Sequence, residues 1–204
     1  KDEAFKKIVN SAQINLPDGA GVVWAIKKIF GLNIENITGV DFMLDLVKVA
    51  KEKSLRIGLI GGRDDLAVKT LECLHKIHPT LSGWGMDGPE VEVQNYPAAA
   101  GSTMLYLFST HKQDRDKLQI TNDQIEEIAD KIIKEKTGIL FVAMGFPKQE
   151  YFIDLLRKQL TMNKYEDPIV LMAVGGSFDY ISGRVPRAPQ WMRNMGLEWL
   201  FRLI

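Results

Sequence analysis

Asp18 stands in a Pro17-Asp18-Gly19 turn between an apolar pentapeptide, Ala12 to Leu16, and an apolar run that begins at Ala20. Turn chemistry alone accounts for the tripeptide, because Pro fixes φ, Asp bonds its own backbone and Gly accepts unusual dihedrals. A carboxylate beyond the carboxyl end of a strand is also well placed to take a proton from a substrate, and Asp18 is singled out for that. Two glycine pairs occupy the same kind of turn: Gly61-Gly62 before Arg63, and Gly175-Gly176 before Ser177 and Asp179. Glycine there lets backbone approach a phosphate closely, although the geometry of a tight strand-to-helix turn asks for glycine equally often. Gln149 offers an amide for a base or sugar, and Glu150 reads as a first-turn acid favoured by the helix dipole. Near the end of the chain Arg184, Arg187, Arg193 and Arg202 stand against one acid, Glu198. Arginine's planar fork suits phosphate or carboxylate better than lysine does.

Four short apolar runs carry these loops: Ala12 to Leu16, Leu55 to Ile60, Ile139 to Met144 and Ile169 to Val174. Runs that are continuously apolar, and do not alternate, predict strands covered on both faces, hence an α/β, Rossmann-like, mainly parallel sheet with helices on each side. Helices are expected over Asp41 to Lys53, Asp64 to Ile77 and Pro147 to Leu160, with Pro147 in the first helical position. Another opens at a Thr121 or Asn122 cap and closes at Gly138. Ligands of such sheets bind beyond the carboxyl ends of the strands, which gathers the four loops at one edge. The stretch 85–117 fits neither pattern and is expected to be an atypical loop or insertion, with one strand-like run from Thr103 to Phe108. Trp191, Met195, Trp199 and Leu203 form an i, i+4 stripe that predicts a core-facing helix. Met192, Leu200, Phe201 and Ile204 add apolar surface beyond one face, suited to a second subunit in a homo-oligomer, a further tail or a lipid interface.

The chain has 204 residues, 46% of them hydrophobic, enough for one substantial core and a single domain over 1–204. Lys plus Arg and Asp plus Glu number 26 each, so the sequence lacks the basic excess of a nucleic-acid binder. The single cysteine, Cys73, allows no internal disulfide and suits a reducing compartment. The opening is charged and helical, unlike a secretory signal, and no apolar run reaches the roughly 20 residues of a membrane helix. That opening resembles the last turns of a helix already under way, so the expectation is a piece shortened at its N terminus.

Several signatures are missing. The sequence contains no G-x-x-x-x-G-K-[ST], and Gly58 to Asp65 does not satisfy G-x-G-x-x-G. His75, His78, His111 and Cys73 lack zinc spacing. Asp114-Arg115-Asp116 lies in a charge run that reads as a solvated loop, and no metal is assigned to it.

Taken together and in order, PDGAGVVWA (from Pro17), TGVDF (from Thr38), IGLIGG (from Ile57), GFPKQE (from Gly145), GGSFDYISGRVPRAPQWM (from Gly175) and MGLEWLFRLI (from Met195) resemble the WecG/TagA/CpsF family of bacterial glycosyltransferases. The resemblance covers most of the chain outside 85–117. It implies inverting, metal-independent transfer of a sugar, often N-acetylmannosamine, from a UDP-sugar to N-acetylglucosamine on a polyprenyl diphosphate. It also implies work at the cytoplasmic membrane face in building teichoic acid or other surface polysaccharides, with no cofactor. By resemblance Asp18 is the general base. The candidate substrate-binding residues are Gly19, Gly61, Gly62, Arg63, Gln149, Gly175, Gly176, Ser177, Asp179 and Arg187. Family members carry an upstream portion and a C-terminal tail that are not matched here. The competing expectations are another nucleotide-using Rossmann-like enzyme and a noncatalytic membrane-associated assembly module.

Overall fold

The computed structural model describes residues 3–89, 122–195 and 197–201. Nine helices and four strands are found among them, in the order α1 (Glu3–Asn10), α2 (Ala20–Phe30), α3 (Gly39–Glu52), β1 (Arg56–Gly61), α4 (Leu66–Ile77), β2 (Ser82–Met86), α5 (Asn122–Lys134), β3 (Thr137–Ala143), α6 (Lys148–Met162), β4 (Val170–Ala173), α7 (Ser177–Ile181), α8 (Gln190–Asn194) and α9 (Glu198–Phe201). The strands form one parallel sheet in the order β2-β1-β3-β4. This is the expected α/β, Rossmann-like arrangement.

The continuous apolar runs are explained by burial on both faces. Successive side chains of a strand point to opposite sides. Ile57 and Leu59 of β1 and Ile139 and Phe141 of β3 pack on one face with Met43 and Val47 of α3, Leu71 and Leu74 of α4, and Phe178 of α7. Ile60, Leu140 and Val142 enter the other core with Ile128 and Ile132 of α5 and Phe152 and Leu156 of α6. Gly58 has no side chain for a steric reason: a Cβ there would come within 2.7 Å of both the Trp84 and Leu140 side chains. The buried indole of Trp84 fills that space and donates from Nε1 to Thr137 Oγ1 at 2.9 Å.

Four expectations need correction. Ala12 to Leu16 forms no strand, since no described strand lies alongside to pair with it, and Ile14 is exposed. Gly85 and Met86, assigned to a loop, instead belong to β2, whose Ser-Gly-Trp-Gly-Met sequence hides a strand behind two glycines. Those glycines are forced by crowding: a Cβ on Gly83 would meet Ile57, and one on Gly85 would meet the Ala67 backbone at 2.9 Å. Gly138 does not close α5 but lies inside β3, while Lys136 takes the left-handed turn at φ 48°. The C-terminal helix is two short ones, α8 and α9, in which Met192 is buried while Trp191 and Met195 are exposed. Thr103 to Phe108, His111 and Asp114 to Asp116 lie outside the described residues, as does the side chain of Trp199.

The helix boundaries otherwise track the spacing, with shifts at the N-termini. Thr38 caps α3, its Oγ1 accepting the Asp41 N–H at 3.2 Å. Pro147 sits at the N-cap of α6 and not inside it. Asp64 and Asp65 precede α4 in left-handed backbone.

Candidate active site

The Pro17-Asp18-Gly19 turn is fixed from the connection between α2 and α3. The Gly39 N–H donates to Asp18 Oδ2 at 3.0 Å, and the Gly19 N–H donates to Asn36 Oδ1 at 2.8 Å. Gly19 has φ 105°, a backbone angle that a side chain would strain, which is why glycine follows the aspartate. Asp18 therefore rests on the first N–H of α3, where the helix dipole favours its negative charge. Its Oδ1 makes no hydrogen bond among the described residues and the side chain is exposed.

Beyond the carboxyl end of β4 the chain turns through Gly175 and Gly176 into α7. This turn is tied to α6: Gly175 N–H donates to the Gln149 Oε1 at 3.0 Å, and Gln149 Nε2 donates to Glu150 Oε1 at 2.9 Å. Gln149 is buried, so its amide orientation is set by these two partners. Glu150 is the expected first-turn acid of α6, but burial pushes its carboxyl above the ordinary range against the pull of the Gln149 hydrogen bond. Ser177 is buried as well, its hydroxyl donating to Val174 O at 2.6 Å. Asp179 lies 3.9 Å from Arg184 Nε.

A cavity of about 300 Å³ opens between these parts, lined by Asp18, Gly39, Val40, Gln149, Tyr180, Val185 and the run from Ala173 to Ser177 together with Asp179. Its size is at the lower end of the roughly 300–1,000 Å³ usual for small-molecule sites. Of the residues singled out from sequence, Asp18, Gln149, Gly175, Gly176, Ser177 and Asp179 line it together. Gly39 and Val40 were missed, although they lie in the TGVDF motif behind a threonine cap, the signature of a helix N-terminus able to take an anion. Tyr180 and Val185 carried no sequence signal beyond their nearness to the second glycine pair.

The other candidates are elsewhere. Gly61 and Gly62 sit where β1 meets β3 and α4. A Cβ on Gly61 would strike the Ala143 carbonyl, one on Gly62 would come within 2.7 Å of Leu66, and Gly62 N–H donates to Ala143 O at 3.0 Å. Close packing is reason enough for both glycines. Arg63 is exposed and outside the cavity wall. The Arg187 guanidinium is taken up by Asp41, with Nη1 to Oδ1 at 2.6 Å and Nη2 to Oδ2 at 2.8 Å. That bidentate contact holds the Asp41 carboxyl below its ordinary range. Among the described residues no three His, Cys, Asp or Glu side chains gather where they would hold a metal ion, and no helix is long and apolar enough to cross a membrane.

Comparison with known proteins identifies relatives of the chain. The chain is 29% identical over 201 residues to an N-acetylglucosaminyldiphosphoundecaprenol N-acetyl-beta-D-mannosaminyltransferase of Bacillus spizizenii, covering 98% of the chain and 63% of that protein. It is 30% identical over 204 residues to the Bacillus subtilis protein of the same name, covering 100% of the chain and 65% of the relative. The chain thus spans about two thirds of the length of these curated relatives. The model of the glycosyl transferase WecG/TagA/CpsF family matches residues 1–204, and the chain belongs to that family.

Proposed function

We propose that the protein transfers N-acetylmannosamine from a UDP-sugar to N-acetylglucosamine carried on a polyprenyl diphosphate, with inversion at the anomeric carbon. The observation that carries this reading is the meeting of Asp18, on the first N–H of α3, with the Gln149-anchored Gly175-Gly176 turn around one cavity. The names of the Bacillus relatives, N-acetylglucosaminyldiphosphoundecaprenol N-acetyl-beta-D-mannosaminyltransferases, supply the acceptor class and the sugar of this reading.

In this reading the acceptor hydroxyl approaches Asp18. As its oxygen attacks the anomeric carbon, the carboxylate takes the hydroxyl proton, the new glycosidic bond forms and the bond to the nucleoside diphosphate breaks. The leaving diphosphate departs with the electron pair. Backbone N–H groups at the turns and helix N-termini around the cavity are suited to its growing charge, since preorganised dipoles need no rearrangement as the charge appears. In this reading the transfer uses no metal or cofactor. A lipid-borne acceptor implies work at a membrane surface, and we place the protein at the cytoplasmic face. Gly61 and Gly62, outside the cavity wall and packed against β3 and Leu66, are assigned to shaping the fold.

The test is a binding panel followed by an assay. UDP and UDP-N-acetylmannosamine are expected to raise the melting temperature where NAD and S-adenosylmethionine do not. A ligand at 100 times its Kd stabilises by about 2.7 kcal/mol. Stabilisation by NAD or S-adenosylmethionine in place of UDP overturns the reading.

A further inference from the structure

The anchor of Asp18 is itself anchored. Gly39, whose N–H holds Asp18 Oδ2, is the first residue of α3, and the end of a helix frays more readily than its middle. Here the first turn is locked by a closed set of contacts. Thr38 Oγ1 accepts the Asp41 N–H at 3.2 Å and donates to Asp41 Oδ2 at 2.7 Å. Arg187, 146 positions later in the chain, grips both members: Nη1 and Nη2 take the two Asp41 oxygens, and Nη2 also reaches Thr38 Oγ1 at 3.1 Å. Arg193 Nη1 lies 3.7 Å from Asp41 Oδ1, and Glu198 Oε1 lies 3.5 Å from Arg187 Nε.

A threonine cap alone completes a helix N-terminus, so capping does not explain an arginine brought from the far end of the chain. The Arg187 side chain is mostly buried, at 17% exposure, a desolvation that a contact made only for surface charge would not require. Its neighbour Ala188 is buried, fixing the backbone from which it reaches. We infer that Asp41 and Arg187 form a positioning clamp for Asp18, holding the first turn of α3 so that Gly39 presents its N–H to the base, and making the setting of the base depend on the docking of the C-terminal α8–α9 segment. The inference rests on Asp18 being the base of the proposed transfer. Arginine is required because one planar fork must span two carboxylate oxygens and a hydroxyl, which a lysine ammonium cannot do in one geometry.

The experiment compares Arg187→Lys, Asp41→Asn and the double variant with the wild-type intact protein, following transfer kinetics and hydrogen exchange of the Gly39 amide, with the Ile60 amide as the measure of global opening. Small misplacement of a catalytic group costs on the order of 10- to 100-fold. The expected result is a kcat loss of that size in each single variant with donor KM unchanged. Gly39 exchange should quicken while Ile60 exchange stays put, and the double variant should fall no further than the worse single. Wild-type kcat and Gly39 exchange in both singles overturn the clamp. A raised donor KM at unchanged kcat overturns it too, by making Arg187 a substrate contact, and so do fully additive losses. Asp18→Asn separates this from the underlying reading. Full turnover by that variant removes the base and the clamp with it, whereas an inactive Asp18→Asn beside fully active clamp variants overturns the clamp alone.

Discussion

Asp18 Oδ2 and the Gly39 N–H lie 3.0 Å apart, joining a turn before α2 to the first residue of α3 across 21 positions of sequence. One carboxylate oxygen is thereby committed to structure, while Oδ1 makes no hydrogen bond among the described residues. A carboxylate held in this way keeps its orientation while staying exposed, which is what the proposed role as base requires. The same contact brings Gly39 and Val40 into the cavity wall beside the Gly175-Gly176 turn.

Replacing Asp18 by Asn keeps an oxygen for the Gly39 N–H but removes the proton acceptor. Transfer is expected to fall by about 10²- to 10⁴-fold, the usual contribution of a general base. UDP binding, read by calorimetry, should change little. Turnover equal to wild type would take Asp18 out of the mechanism.

Gln149→Ala deletes the buried acceptor of the Gly175 N–H. A part-buried donor left without its partner costs up to about 1–3 kcal/mol, and that cost falls on the turn that lines the cavity. The affinity for UDP should drop by roughly ten-fold or more on that scale, with the melting temperature lowered modestly. Unchanged UDP affinity would disconnect this turn from the donor.

Gly61→Ala tests whether the first glycine pair serves the fold. The residue has φ 124°, and its added methyl would collide with the Ala143 carbonyl of the neighbouring strand. Strain and overpacking together should cost about 2–4 kcal/mol, measurable by urea unfolding. An alanine variant of wild-type stability would refute the packing account.

Two carboxyl groups should tilt the pH dependence of stability in opposite directions. Asp41, lowered chiefly by its Arg187 contact, contributes stability that is present above its unfolded value and is lost as pH falls through the lower folded one. Glu150, raised chiefly by burial, binds its proton more tightly when folded, so stability declines as pH climbs from the unfolded value to the folded one. Unfolding measured across the acid range should therefore show a shallower low-pH fall in Asp41→Asn, Asp154, lowered against its burial by Lys158 and Arg157, keeping its own share. Glu150→Gln, which preserves an acceptor for the Gln149 amide, should lose the decline at the higher end. An unchanged profile in either variant would contradict the corresponding assignment.

The local sequence carried the parts of the fold that depend on neighbours a few positions away. β1, β3 and β4 announced themselves as continuous apolar runs because strands buried on both faces leave no place for polar residues. α3, α4 and α6 appeared through spacing and caps, and Asp18, Gln149 and the second glycine pair through their places at turns. Long-range partners decided the rest. Ala12 to Leu16 has strand composition, yet a strand exists only when another lies beside it. β2 is hidden by Gly83 and Gly85, which are glycine because Ile57 and the α4 backbone leave no room for a Cβ. Gly61-Gly62 and Gly175-Gly176 look alike as dipeptides, and only packing separates a pair wedged against β3 and Leu66 from a pair that walls a cavity. Arg187 has the chemistry of a phosphate ligand in sequence, but the fold sets Asp41 within 2.6 Å of it, and a carboxylate so close claims the fork that a phosphate would have used.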